Sequence, residues 1–424
     1  MKKIFSLLLA LLLAFTFLLP CFHAWADEDE LFSDEQIAYY QGLGLQGTSI
    51  NVYNWGEYIA DGSDGLMDVV GEFERLTGAT VNYTNFESNE NMYAKLTGGG
   101  VSYDVIVPSD YMIERLIDEE LLMELDYDNI PNFEEYIRDD FRNLFFDPEQ
   151  KYTVGFNISY TALIYNTALV EEEPESWDVL WDEQYKGKVL MFNNSRDSFA
   201  IAQALLGQDV NTASEQDWVD AAELLAKQKD AVDPVYVMDE VFNLMESGEY
   251  AFATYYTGDY LLMLENNEDL AYCIPQEGGN KAYDAFCVPT CAQNKKGAEA
   301  FINFMMEPEV AFDNAEYIYY CSANKEIEND EESSLYGEEA VYPADYDNYN
   351  EFHNLPQNIL ELQNSLWSQI KSGQLSADSQ REEQHIYLIS AVLAGLVLVI
   401  LVISFIRKRQ KNKEQDISEL YGKS

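Results

Sequence analysis

The chain reads as an α/β protein of two lobes, with one further apolar segment close to its C-terminus. Three observations predict this. Between Ile50 and Asp118, strand and helix patterns alternate in the order β-α-β-α-β, which implies a mainly parallel sheet covered by helices. The alternation resumes after Leu163, and 424 residues are too many for one small domain. Residues 386–406 carry no charge and are long and apolar enough to span a bilayer as a helix.

The N-terminus comes first. Lys2 and Lys3 precede an apolar run, Ile4–Leu19, and Ala24-Trp25-Ala26 is an A-x-A cleavage site, so residues 1–26 read as a secretory signal peptide. Pro20 directly before Cys21 fits a lipidation site poorly. Asp27–Gln46 is acidic and weakly patterned, a loose N-terminal lead occupying residues 27–47. At the other end, Arg407, Lys408, Arg409, Lys411 and Lys413 follow the apolar run at once, which places the tail 407–424 in the cytoplasm. A cleaved signal and one C-terminal span give an outward-facing domain tethered at its C-terminus.

Within that domain Ile50–Tyr53 is a strand. Leu66–Thr77 has helical spacing, with Gly78 placed to end it. Thr80–Tyr83 is the next strand, and Asn89–Leu96 a helix running into Gly98-Gly99-Gly100. Asp104–Val107 is a buried strand ending at Pro108-Ser109-Asp110-Tyr111, and Tyr111–Asp118 a helix. Leu163–Asn166, Val189–Phe192 and Tyr250–Tyr255 read as strands of a second sheet, with helices at Ser198–Leu206, Trp218–Lys227 and Met238–Ser247. Ala285–Pro289 is a strand, Lys296–Met306 a helix closed by Pro308, and Asn358–Ser372 the last helix before the span. A cleft between two such lobes is a common ligand site.

Composition narrows the chemistry. Hydrophobic residues at 47% and aromatics at 14% argue against disorder despite a net charge of −51. Nucleic acid is excluded as a partner, since binding it requires a basic surface. An acidic surface draws in cations. His occurs at 23, 353 and 385 alone, which leaves little scope for His-based metal sites. Neither a nucleophile elbow, nor a phosphate loop, nor a dinucleotide fingerprint is present, so no cofactor, no metal and no enzymatic activity are expected. Cys273, Cys287, Cys291 and Cys321 remain after signal removal and admit either disulfides or free thiols. Cys273 and Cys287 flank Glu277-Gly278-Gly279 in a way that suits paired strands.

The richest stretch is Ile50–Tyr58. A strand breaks at Asn54 into aromatic residues around one carboxylate, Trp55-Gly56-Glu57-Tyr58. Ligands bind at strand ends in open α/β sheets, and aromatic faces with a carboxylate suit an organic cation. The alternative is a core strand whose Trp55 packs under a loop.

Several motifs carry a resemblance. These are Tyr53-Asn54-Trp55-Gly56-Glu57-Tyr58, then residues 86–96 (Phe86-Glu87-Ser88-Asn89 onward), then Tyr103-Asp104-Val105-Ile106-Val107-Pro108-Ser109, and later Ser176-Trp177, Tyr185-Lys186-Gly187, Glu277-Gly278-Gly279 and Asn303-Phe304. Together they resemble the spermidine/putrescine-binding proteins of bacterial polyamine ABC importers, over roughly Ile50 to Gly373. The resemblance implies a two-lobe periplasmic-binding-protein fold of the second type, with two chain crossings. It divides the chain into lobe 1 at 48–155 and 284–325, lobe 2 at 156–283 and 326–374, and a linker at 375–385. It also implies capture of a polyamine in the cleft and delivery to an ABC permease driven by a separate ATPase. A membrane-anchored polyamine-sensing receptor is the alternative.

The ligand residues implied are Trp55, Glu57 and Tyr58 in the first motif, Ser109 and Tyr111 after the third strand, and Asp284 on the family aspartate. Asp197 falls where the family has a glutamate, and it also suits the N-cap of the following helix. Tyr256 lies where a tryptophan is usual, Tyr320 matches a late cleft tyrosine, and His353 stands in place of a glutamine. Three positions depart from the pattern: Asn194 for a second aspartate, Ala282 for a second tryptophan, with Tyr283 beside it able to supply a ring, and Gly56 for a hydroxyl residue. The pocket then favours either a shorter amine or spermidine in a shifted pose. Glu57 favours the spermidine-type member over putrescine-specific relatives, which tend to have Asp there.

Overall fold

The computed structural model describes residues 31–343 and 348–375, so the signal peptide at 1–26 and the span at 386–406 lie outside the described residues. Among the described residues no helix is long and apolar enough to cross a membrane.

The acidic lead is not loose where it is described. Helix α1 (Asp34–Gly42) opens on a reciprocal cap: Ser33 accepts from the Gln36 N–H, and the Gln36 side chain accepts from the Ser33 N–H. Fully buried Tyr40 donates to Glu307 at 2.6 Å, and the Phe32 ring lies 5.5 Å from that of Phe304. Single aromatic anchors hold this helix instead of an apolar stripe, so no periodicity announces it.

Strand β1 (Ser49–Trp55), α2 (Val69–Thr77), β2 (Thr80–Phe86), α3 (Asn89–Thr97), β3 (Val105–Ile106) and α4 (Asp110–Asp118) follow. Helix α2 starts on the Asp68 side chain and ends at Gly78, whose φ of 68° only glycine adopts freely. Strands β1, β2 and β3 are parallel, as expected. Then come β4 (Thr153–Asn166), β5 (Val189–Phe192), α5 (Ser195–Leu205), α6 (Glu215–Val232), β6 (Val235–Val237), α7 (Glu240–Glu246), β7 (Phe252–Tyr256), α8 (Thr257–Asn266) and β8 (Leu270–Cys273). The chain closes with β9 (Gly279–Cys287), α9 (Lys295–Met305), α10 (Pro308–Ile318), β10 (Cys321–Ser322), β11 (Tyr349–Asn350) and α11 (Gln357–Ser372).

The expected first and second sheets share β4 and so join into one hydrogen-bonded path in the order β2-β1-β3-β9-β4-β7-β5-β6. Its two flanks are parallel, while β3–β9, β9–β4 and β4–β7 are antiparallel. The cause is the length of β4, all 14 residues of which are buried. Its first half (Val154, Phe156, Ile158, Tyr160) belongs to one apolar core and its end (Leu163, Ile164, Tyr165) to the other. Strand β9 pairs along most of it, so these two strands join the lobes.

The four cysteines are free thiols. Cys273 pairs opposite Leu163 and Cys287 opposite Thr153, ten positions apart on β4, so they do not face each other.

Buried Asp104 ties three segments together. Its carboxylate accepts from the backbone N–H groups of Asn51, Gln293 and Asn294, each at 2.8 Å. Asp104→Ala leaves all three donors without it, and a loss of about 3 kcal/mol is expected in urea-induced unfolding. An unchanged midpoint would refute that role.

Candidate functional site

The C-terminal ends of the parallel strands point to one place. Trp55 ends β1, Ser109 and Tyr111 follow β3, Asn194 and Asp197 follow β5, Asp239 follows β6, and Tyr256 and Asp259 sit at the end of β7 and start of α8. All of them line one cavity between the two cores, enclosing about 760 Å³ of non-atom space with its mouth included. The strand-end rule that singles out Trp55 applies to both lobes at once.

Nine of the ten expected residues line this cavity: Trp55, Glu57, Tyr58, Ser109, Tyr111, Asp197, Tyr256, Asp284 and Tyr320. The tenth, His353, does not. Arg196 holds the His353 carbonyl at 3.2 Å and stacks on the Phe352 ring at 4.4 Å. Phe352 therefore faces the cavity, while the His353 imidazole turns toward Glu114 (3.5 Å) and the Phe145 ring. Tyr283 supplies no ring in place of Ala282 either. Side chains alternate along β9, so Asn280, Ala282 and Asp284 face the cavity and Tyr283 packs behind, against Phe141.

The aromatic wall is held by hydrogen bonds. Trp55 is half-buried; its indole N–H donates to the Val107 carbonyl at 2.9 Å, and its ring lies 4.5 Å from that of Phe86. The Tyr111 hydroxyl donates to Glu90 at 2.9 Å. Tyr320 follows Tyr319, which ends α10 at φ 60°, and that left-handed turn aims Tyr320 across to Tyr58, with ring centroids 5.6 Å apart. Glu57 also sits at positive φ, 46°, on the exposed rim, and accepts from the Tyr317 hydroxyl at 2.8 Å.

The carboxylates set the electrostatics. Asp284 Oδ2 accepts from the Tyr58 hydroxyl at 2.5 Å, while its Oδ1 is buried without a partner. Burial pushes its pKa up to about 6, against the pull of Ser109 and Tyr58. Asp197 is not the helix cap. Asn194 caps α5, and Asp197 lies in the first turn, accepting from the Asn194 side chain at 2.6 Å. Burial, with repulsion from Glu90, raises its pKa to about 7, although Arg196 and Tyr256 offset part of the effect. Asp259 accepts from the Tyr320 hydroxyl at 2.6 Å, and burial lifts it to about 8. Among the described residues no lysine, arginine or histidine lines the cavity. Arg196, beside Asp197, is turned away onto the Val210 carbonyl and Asn211. This is an apolar, aromatic-walled chamber with excess negative charge, suited to a ligand bearing several positive charges.

Asp239 and Asp259 are the main residues that the sequence reading missed. Both stand just past strand ends, which is the signal that could have found them. Gly56 makes room for one of them, since a Cβ there would meet Asp239 Oδ2 at 2.8 Å.

The sequence from residue 68 to 340 matches the profile of the bacterial extracellular solute-binding proteins. The chain belongs to that family. This family member is 31% identical over 293 residues to the spermidine/putrescine-binding periplasmic protein of Salmonella typhimurium, a match covering 69% of this chain and 82% of that one. It is 32% identical over 274 residues to the protein of the same name from Escherichia coli, covering 64% and 76%. Among solved structures, a protein described as a spermidine/putrescine ABC transporter from Listeria monocytogenes superposes with a TM-score of 0.69 at 33% identity, covering 77% of this chain and 99% of that one. The solute-binding protein therefore has the two-lobe α/β periplasmic-binding fold, its binding domain is extracytoplasmic, and its role is to hold a solute rather than to transform one.

Proposed function

We propose that this solute-binding protein captures a polyamine in the cleft between its lobes and delivers it to an ABC permease served by a separate ATPase. The observation that carries the reading is the set of buried carboxyls, Asp197, Asp259 and Asp284, facing a chamber that no basic side chain lines among the described residues. Each is raised in pKa mainly by burial, so each gains when an ammonium group replaces lost solvation. The aromatic walls cover methylenes and add cation–π attraction of about 0.5–2 kcal/mol per good contact. The names of the relatives point the same way. In this reading Trp55, Tyr58, Ser109, Tyr111, Tyr256 and Tyr320 shape the slot, and Glu57 guards its rim. Residues 386–406 anchor the protein after cleavage of residues 1–26, with lobe 1 at 48–155 and 284–325 and lobe 2 at 156–283 and 326–374.

Calorimetric titration of the full chain with putrescine, spermidine and spermine tests this. Stoichiometric binding of one of them is expected, and absence of heat with all three would end the proposal.

The raised carboxyls also predict a pH dependence. Their folded pKa values, about 6 to 8, lie above the unfolded ones at about 4, so the ligand-free protein keeps its full stability only at low pH and loses part of it as pH rises from about 4 to about 8. A bound polycation favours the ionised forms. Affinity is therefore expected to rise at least about tenfold from pH 5.5 to 8.5, with roughly one to two protons released per ligand near pH 7. Titration in buffers of different ionisation heat measures the release; a flat affinity without proton release would contradict the assignment.

A further inference from the structure

Asp259 differs from the other buried carboxyls of the chamber in where its partner comes from. Asp284 is held by Ser109 and Tyr58, and Asp197 by Asn194 and Tyr256, each pair from the carboxyl's own side of the cleft. Asp259 accepts from the Tyr320 hydroxyl at 2.6 Å, and that bond crosses the cleft. Tyr320 belongs to the core around β1 and β3, whereas Tyr260 and Met263, which follow Asp259 on α8, belong to the other. Both partners are buried and line the chamber. Two more hydrogen bonds reach α8 at the same place: the Tyr319 hydroxyl donates to Glu265 at 2.7 Å, and Thr257 Oγ1 donates to the Ala340 carbonyl at 2.5 Å. None of those four residues lines the chamber, so a bound ligand meets this contact only at Asp259 and Tyr320.

We propose that Asp259 and Tyr320 form a clasp that couples the charge of a bound polyamine to closure of the lobes. Asp259 is the positioning residue in it, and the inference rests on the polyamine reading above. Among the described residues, the groups that face Asp259 carry no positive charge: Asp239 follows β6, Tyr255 and Tyr256 end β7, and Tyr58 and Tyr320 come from across the cleft. Burial, with repulsion from Asp239, holds its pKa at about 8 although the Tyr320 hydrogen bond pulls it down, so near neutral pH the ligand-free carboxyl is mostly protonated. In that state the Tyr320 hydroxyl donates to a neutral acid. An ammonium group entering the chamber favours the carboxylate, and the proton leaves to solvent. The position of Asp259 in the first turn of α8 favours the ionised form as well. The same hydroxyl then donates to an ion, a bond roughly twice as strong. Ligand thus tightens the contact between the lobes, and by linkage the contact tightens the hold on ligand.

The test is a double-mutant cycle on the full chain. Asp259→Asn keeps an acceptor and removes the charge, and Tyr320→Phe keeps the ring and removes the donor. Calorimetry with putrescine and spermidine gives the affinities, and buffers of different ionisation heat give the protons released. Each single variant is expected to weaken the amine that the wild type binds by at least about fivefold, and the double variant by no more than about twofold beyond the weaker single one. At pH 7.5, Asp259→Asn is expected to lose about half a proton or more of the wild-type release. Tyr320→Phe retains the carboxyl, so it keeps the test readable if Asp259→Asn fails to fold. Its proton release at pH 8.5 is expected to exceed that of the wild type, because the hydrogen bond that lowers Asp259 is gone. Losses that add in the double variant, or a proton release unchanged in both single variants, overturn the clasp and leave Asp259 to act on ligand alone. A wild type that binds neither amine overturns the polyamine reading itself, a different result from either of those.

Discussion

Asp284→Asn is expected to weaken polyamine binding at least about a hundredfold. The carboxylate is buried and lines the chamber, with one oxygen held by Tyr58 and the other without a hydrogen-bond partner. Removing its charge leaves a buried ammonium facing an amide, and breaking a buried ion pair in this way costs about 3 kcal/mol or more. Folding should respond in the opposite direction. Burial already holds Asp284 at about pKa 6, so at pH 8 its ionised form burdens the ligand-free protein, and the neutral amide should keep or raise the melting temperature. Loss of binding with intact stability separates a ligand partner from a structural residue. Affinity within threefold of the wild type would remove Asp284 from the site.

Gly258→Ala is expected to damage both fold and site. Gly258 lies in the first turn of α8, where an added Cβ would collide with the Tyr319 carbonyl and the Tyr320 ring, coming within 2.6 Å of Tyr320 Cε1. The backbone carbonyl cannot rotate away as a side-chain tip can, so α8 must separate from the segment that ends α10. Overpacking of this kind costs about 1–3 kcal/mol. The displacement also breaks the Tyr320–Asp259 hydrogen bond, so a binding loss of at least about tenfold accompanies the fall in melting temperature. Gly56→Ala is the useful contrast: its Cβ meets the end of the Asp239 side chain, which can move. If Gly258→Ala left both melting temperature and affinity unchanged, close packing at this point would not be what sets Tyr320.

Legibility in the sequence follows from what side-chain periodicity encodes. Elements with one apolar face against a core were readable: β1, α2 with its Gly78 stop, β5 and α11 stand close to where the pattern placed them. The middle strands were not. Only Leu163–Asn166 of β4 reads as strand, yet the strand begins at Thr153. Its Asn157 pairs opposite Asp284, and its Ser159, opposite Ala282, lines the cavity. A polar face turned to a binding cavity looks, in sequence, like an interrupted strand. The start of β9 is hidden for the same reason, because Asn280 and Asp284 break its apolar run.

By itself, then, the sequence determined the α/β class, the strand ends that carry ligand chemistry, and the excess of acid that excludes nucleic acid. Those properties are local or compositional, and each is set by residues near one another in the chain. Only the tertiary structure decided which of two neighbours faces the cavity: Asp284 and not Tyr283, Phe352 and not His353. It alone brought Asp197, Asp239, Asp259 and Asp284 from four separate segments to one chamber. A pleat's phase and the meeting of distant strand ends depend on pairing register and on packing between cores, and neither is written in any short stretch of chain.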